Sequence, residues 1–211
     1  MIKELPSYWW ISIICSAIFG YAIKGYRSRQ FENTGEFLVR KTLIEQLKSN
    51  SWHLLNNITL QLENHTTQVD HILVSRFGVF VIETKHYSGW IFGDEKSKEW
   101  TQVIWKRKSK FQNPIHQNFK HVKAIQDILD FIPKEQITGM VVFTGDAIFK
   151  TRQPKNVYSL ESLVSHLKGL TVETLTENRL QFCVGRLEFL RLALTRETDI
   201  EHINNLNNRF I

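Results

Sequence analysis

Residues 68–85 run Gln68-Val69-Asp70-His71-Ile72-Leu73-Val74-Ser75, then Arg76-Phe77-Gly78, then Val79-Phe80-Val81-Ile82-Glu83-Thr84-Lys85. Two apolar runs rich in Val, Ile and Phe, parted by a short polar break with a glycine, predict a β-hairpin. Side chains alternate along a strand. Asp70, Ile72 and Val74 therefore share one face of the first run, and Val79, Val81, Glu83 and Lys85 one face of the second. With Arg76 and Phe77 as a two-residue turn, positions whose numbers sum to 153 pair across the ladder, and Asp70 falls opposite Glu83. Cβ atoms so placed are roughly 5 Å apart.

Like charges in that arrangement destabilise a sheet, and half-buried carboxylates without partners cost more. A hard divalent cation offsets both effects. Mg²⁺ is typically held by one or two carboxylates, with waters and substrate phosphates completing its shell. Lys85, two residues beyond Glu83 on the same face, is placed to orient or deprotonate a water and to offset developing charge. That chemistry suits cleavage of a phosphodiester. The alternative is a salt-bridged hairpin in which Lys85 neutralises both acids, and short motifs of this kind often arise by chance.

Gly35-Glu36 opening a helix, Gln68-Val69-Asp70-His71, the run Gly78 to Lys85, Gly89, and Asn113-Pro114-Ile115-His116-Gln117-Asn118 together resemble the nuclease-related domain, NERD. That domain is similar to the restriction-endonuclease-like PD-(D/E)xK superfamily, and the resemblance covers Gly35 to Thr144. It implies an α/β fold with a restriction-endonuclease-like core of helix, mixed β-sheet, helix and strand. It implies that Asp70 and Glu83 ligate Mg²⁺ or Mn²⁺ together with the Thr84 backbone carbonyl, and that Lys85 orients the attacking water. Glu36 matches the acid contributed by the first helix. Gln117 matches the glutamine after Asn-Pro, whose amide would bond a phosphate or the water, or else cap a strand end. The superfamily's proline before the aspartate is Val69 here. The implied activity is metal-dependent hydrolysis of nucleic acid, DNA before RNA. The alternative is a catalytically inactive module that binds nucleic acid or organises a membrane complex.

At 211 residues the chain suits one well-buried domain with additional elements. A formal net charge of +6 fits an anionic partner, either nucleic acid or an acidic membrane surface. The two cysteines, Cys15 and Cys183, are too far apart in sequence to suggest a disulfide framework or a Cys-based zinc site. No pair among the eight histidines has zinc-site spacing, and His71 points to the face opposite Asp70. His86, His116 and His121 are at most contacts to DNA or to the ligating residues.

Residues 7–23, from Ser7 to Ile23, carry no charge, and such a length is the lower edge of what spans a bilayer. Aromatics stand at both ends, Tyr8, Trp9 and Trp10 against Tyr21 and Tyr26. Lys24, Arg27 and Arg29 follow the apolar run while only Lys3 and Glu4 precede it, which orients the C-terminal side to the cytoplasm. The expectation is a single-pass anchor in the cell membrane. A cleaved signal peptide, with Gly20-Tyr21-Ala22 as its site, is the competitor.

The expected organisation is an anchor and basic linker over 1–29, a nuclease-like domain over 30–158 and a helical extension over 159–211. A helix over Glu36–Leu47 would turn Phe37, Leu38, Leu43, Ile44 and Leu47 inward. In its first turn Glu36 is also where the helix dipole favours an acid. A strand over Trp52–Leu62 precedes the hairpin, and Trp90–Phe92 with Trp100–Trp105 predict a second one. Next, Lys106, Arg107, Lys108 and Lys110, between Trp105 and Phe111, form either a nucleic-acid contact or a solvated loop.

Asn113-Pro114 opens a helix whose inward face carries Gln117, His121, Ala124, Ile125, Ile128 and Leu129, and Pro133 stops it. Ile137–Thr144 is a buried strand, and Asn156–Ser159 a short edge strand. Helices are expected over Leu160–Leu167, Glu173–Leu194 and Asp199–Phe210. The long one packs on the core, on a partner protein or on a second copy of the chain.

Overall fold

The computed structural model describes residues 33–48, 51–62 and 66–192. Helix α1 (Thr34–Gln46) leads into strands β1 (Trp52–Gln61), β2 (Thr66–Ser75) and β3 (Gly78–His86), an antiparallel run. Ser75 pairs with Gly78 and His71 with Ile82, so Arg76 and Phe77 are the turn and the expected register holds. A second meander follows, β4 (Gly89–Phe92), β5 (Glu99–Ile104) and β6 (Arg107–Gln112). Helix α2 (Pro114–Ile128) then crosses back to β7 (Ile137–Thr144), which pairs parallel with β3. Strands β8 (Ala147–Phe149) and β9 (Val157–Ser159) precede α3 (Leu160–Lys168) and α4 (Glu177–Leu190). The strands form a mixed five-stranded sheet, β1-β2-β3-β7-β9, and a four-stranded sheet, β6-β5-β4-β8.

The larger sheet is covered on both faces, which is why β2, β3 and β7 read as nearly continuous apolar runs. On one face Ile72, Val74, Val79 and Val81 pack with Ile125 and Leu129 from α2 and its end, and with Leu180 and Leu187 of α4. On the other, Leu73, Phe80 and Ile82 meet Val39 and Leu43 of α1 and Leu163 and Leu167 of α3. The second sheet buries Ile91 and Trp100 against Val141 and Phe143 of β7, with half-buried Phe111 packed beside them. α/β architecture with mixed sheets is thus what the hairpin and the crossover build.

Three local expectations are corrected. α1 buries Gly35, Val39 and Leu43, while Phe37 and Ile44 are 44% and 55% exposed. The reason is Gly35: a Cβ there would lie 2.7 Å from Thr144 Oγ1 and 2.8 Å from His86 Cβ, so the helix seats its glycine on the strand ends and rotates its bulky residues outward. The basic run is no loop, since Arg107–Gln112 is β6, paired along its length with β5. Finally, α4 starts at Glu177 behind the cap Thr176, not at Glu173. The Arg76 carbonyl takes the N–H groups of both Thr174 and Leu175, and Arg76 Nη2 pairs with Glu173 at 2.6 Å, so this segment is held to the hairpin turn.

β8 was not expected, and it begins just after Gly145, whose φ is +88°. The expected membrane span at residues 7–23, the rest of segment 1–29 and the helix expected over 199–210 lie outside the described residues. Among the described residues no helix is long and apolar enough to cross a membrane.

Candidate active site

The site begins at an irregularity in the ladder. β1 and β2 pair continuously except where Asn57 would face Asp70, and Asn57 sits at φ +50°. Val69 and Ile72, three residues apart, belong to one core cluster, as do Leu55 and Ile58, so the alternation slips in both strands at that point. Pairing of β2 with β3 also stops at His71–Ile82, one position short of Asp70. Freed from both ladders, Asp70 turns its carboxylate to β3, where Oδ2 accepts the Thr84 N–H at 2.8 Å. β3 meanwhile continues alongside β7, Glu83 beside Val141 and Lys85 beside Phe143.

Helix α2 closes the site from above that face. Its start is fixed by Asn113, whose Oδ1 accepts the Ile115 N–H and whose Nδ2 donates to the carbonyls of Asp94 and Ser97 in the β4–β5 loop. Its middle is fixed by Asn118, fully enclosed, which donates from Nδ2 to Val81 O at 2.9 Å and Met140 O at 2.8 Å on adjacent strands. Gln117 and His121, one turn apart, therefore look onto the end of β3. Lys85 Nζ donates to Glu83 Oε1 at 2.7 Å and to Gln117 Oε1 at 3.0 Å. His121 Nε2 lies 3.4 Å from Glu83 Oε2, and its Nδ1 is 2.9 Å from Thr67 Oγ1.

The electrostatics of the two acids diverge. Burial, with the charge of Glu83 and then that of Glu36, pushes the Asp70 carboxyl from 3.8 up to about 8, against the opposing pull of the Thr84 N–H and Lys85. For Glu83, burial works against ionisation, but His121 and Lys85 outweigh it and hold the carboxyl below its ordinary range. At neutral pH the pair therefore favours one proton and one charge.

The structure brings Asp70, Glu83, Lys85 and Gln117 together, with Glu36 near enough for its charge to act on Asp70. Thr84 shares the site through its backbone, since its side chain lies against Gly35 on the opposite face and its Oγ1 is buried without a hydrogen-bond partner. Lys106 stands in the β5–β6 turn and Arg107, Lys108 and Lys110 on β6, exposed on the second sheet. Among the described residues no group of three or more His, Cys, Asp or Glu side chains is arranged to hold a metal ion. The available donors are two carboxylates and a backbone carbonyl, a set that suits a hard, largely hydrated cation such as Mg²⁺.

Sequence reasoning offered His121 only as a contact to DNA or to the ligating residues, and the structure places it beside the ligating residue Glu83; it gave no role to Asn118 or to Asn57. His121 had a legible signal, standing one helical turn after Gln117. Asn118 stood in the motif that carries the resemblance, but its clamping role did not show, because an amide that bonds two strands looks like any polar residue on a helix.

Residues 32–144 match the family model described as the nuclease-related domain. The chain is also 37% identical over 185 residues to an uncharacterized protein of Bacillus anthracis, an alignment that takes in 83% of this chain and 84% of that protein. The match ends at Thr144, where the motif resemblance also ends.

Proposed function

Because the chain belongs to the nuclease-related domain family, we propose that it is a divalent-metal-dependent phosphodiesterase acting on nucleic acid, DNA before RNA, and held at the cell membrane by residues 7–23. The observation that carries the chemistry is a half-buried Asp70 beside a buried Glu83, with a lysine bonded to Glu83 and to an amide from the facing helix. The donor set fits a cation: an Asp70 carboxyl pushed to about 8 by its neighbours is a group that positive charge would relieve.

Asp70, Glu83 and the Thr84 carbonyl would hold Mg²⁺ or Mn²⁺. When bound, the ion supplies positive charge against the scissile phosphate and makes water more acidic. Lys85, steadied by Gln117, orients the attacking water and offsets charge developing on the phosphate. Gln117 presents its amide N–H to a phosphate oxygen, its carbonyl being engaged by Lys85. Glu36 contributes charge from the first turn of α1. His121 keeps Glu83 ionised and so available as a ligand.

A second reading rests on the same network. Lys85 bonds one oxygen of Glu83 while His121 Nε2 stands 3.4 Å from the other, so Glu83 has its counter-charge within the protein, as in a silent module that binds nucleic acid or scaffolds a membrane complex. The deciding assay incubates the full chain, in detergent, with plasmid, linear single- and double-stranded DNA, and RNA in Mg²⁺, Mn²⁺ or EDTA. Asp70→Ala and Lys85→Ala run alongside. Metal-dependent cleavage lost in both variants supports the nuclease. Absent cleavage, with wild type and variants binding DNA equally, supports the silent module. For the anchor, removal of residues 1–29 is expected to shift the chain from the membrane to the soluble fraction.

A further inference from the structure

The outer face of the second sheet carries residues that the proposed cleavage does not use. Register sets Lys108, Val103, Trp90 and Ile148 in one row across β6, β5, β4 and β8, and Lys110, Thr101 and Phe92 in the next. Directly paired residues share a face, and the opposite face is the one that buries Ile91 and Trp100. Trp90 is accordingly 49% exposed and Phe92 37%. Lys150, just past β8, holds its Nζ 4.7 Å from the centroid of the Trp90 ring. At the tip of the β5–β6 hairpin Trp105 is 96% exposed with φ +54°, a backbone region bulky residues rarely adopt. A strained, unburied tryptophan adds nothing to the core, and such outliers cluster where ligands are held.

Charge selects the occupant. Glu99, an acid on this face, is already paired with Lys110 Nζ at 3.2 Å, so Lys108 and Lys150 border the aromatics with positive charge that this acid does not offset. A largely apolar protein partner would leave those lysines unpaired. Duplex DNA would satisfy them but keeps its base faces stacked internally and offers nothing to the rings. A single strand supplies both a phosphate chain and open base faces. We infer that this sheet face binds single-stranded nucleic acid, with bases stacked on Trp90, Phe92 and Trp105 and phosphates met by Lys108, Lys110 and Lys150. The inference deepens the proposed function by naming the form of the substrate, and its link to cleavage rests on that reading.

The test uses the full chain in detergent with EDTA present, so that binding is read without cleavage. Anisotropy of a labelled oligothymidylate of about 15 nucleotides, within the usual site size of single-strand binders, is compared with that of a duplex of equal length. Wild type is expected to prefer the single strand. Trp90→Ala and Trp105→Ala, both at exposed positions, should each weaken single-strand binding about tenfold and leave duplex binding little changed. The double variant Lys108→Ala/Lys110→Ala should weaken both and flatten the salt dependence by roughly one to two charges. Unchanged single-strand affinity in both tryptophan variants, or equal losses on strand and duplex, overturns the inference. If that happens while Asp70→Ala still abolishes metal-dependent cleavage, the proposed function stands without it. If the tryptophans govern binding but the wild type cuts nothing with any metal, the platform stands and the nuclease reading falls.

Discussion

Asp70 and Thr84 are joined by a hydrogen bond outside any regular ladder: Thr84 N–H donates to Asp70 Oδ2 at 2.8 Å, where strand pairing between β2 and β3 has already stopped. The side chain does the work of a missing backbone acceptor, and in doing so it holds two carboxylates side by side. The fork in the sheet is therefore what makes the site, and its electrostatic cost should be measurable.

That cost appears in the pH dependence of stability. In the folded chain the Asp70 carboxyl is raised from 3.8 to about 8, so between those values the folded state holds a proton that the unfolded state has released. Its stabilising contribution is fully present below the lower value and is lost as pH climbs to the upper one. In EDTA, the wild-type Tm should fall across this window, and Asp70→Asn, which keeps an acceptor for Thr84, should fall less. At the alkaline end the variant should melt higher by about 2–4 °C, the usual change for ~1 kcal/mol in a chain of this size. Calorimetry across the pH series checks this, and superimposable curves would contradict it. Added Mg²⁺ should raise the wild-type Tm and leave the variant nearly unmoved.

Lys85 sits on the other side of this balance. Lys85→Met leaves buried Glu83 with His121 as its remaining partner, which should cost about 1–3 kcal/mol in urea unfolding. Glu83 is held below its ordinary range, so its contribution is present above 4.5 and lost as pH falls through the depressed value. In the variant that loss should begin at higher pH. Cleavage should fall by on the order of 100-fold or more if Lys85 meets the developing charge. Gln117→Leu keeps the Lys85–Glu83 pair and should cost under about 1 kcal/mol, yet lower kcat/KM about tenfold. Activity that survives Lys85→Met would remove the lysine from the chemistry.

Asn118 couples the helix to the strands. Its Nδ2 serves Val81 O and Met140 O, and a Cβ at Gly139 would come within 2.8 Å of Val122 Cγ2, so α2 lies close on β7 here. Asn118→Leu removes both bonds and adds bulk at this contact, an expected loss of about 2–3 kcal/mol. Because Gln117 is its neighbour in the chain and His121 lies one turn on, cleavage should drop as well, with kcat affected more than KM. Denaturation and steady-state kinetics on one preparation separate the two effects. Lost stability with untouched kcat would make Asn118 a clamp that does not position the site.

The turn and the hairpin register needed only strand alternation and loop length, which are local rules, and β7 was legible as an unbroken apolar run; the expected Asp70–Glu83 rung is not formed, because pairing ends at His71–Ile82 and the alternation slips at Asp70. The face of α1 was not. Its burial is decided by Gly35, which has no side chain to announce it, while Phe37 and Ile44 look like core residues and lie outside it. β6 was obscured for a different reason. Four basic residues in five positions read as a nucleic-acid contact or a solvated loop, not as a strand, but this strand lies at the edge of a sheet and tolerates charge as long as its backbone pairs. The slip at Asn57 went unread, although Asn56-Asn57 in the middle of a strand is a mark of it, asparagine being disfavoured in strands and enriched at positive φ.

The C-terminal helices illustrate the limit of sequence order as a guide to domains, and they give the last expectation. Leu175, Leu180, Cys183 and Leu187 are buried in the same cluster as Ile72, Val74 and Val81 of the central hairpin, and Thr174 and Leu175 are bonded to Arg76 at its turn. If α4 were a separable docking element, removing residues 173–211 would abolish a partner interaction and spare cleavage. Its packing argues otherwise, because the deletion uncovers one face of the sheet beneath the site. The truncated chain should lose its cooperative urea transition, and Leu180→Ala alone should cost about 2–5 kcal/mol. Unfolding curves for the two variants decide the matter. A truncated chain that unfolds cooperatively with wild-type midpoint and retains cleavage would show α4 to be dispensable to the core and return it to the role of a docking surface.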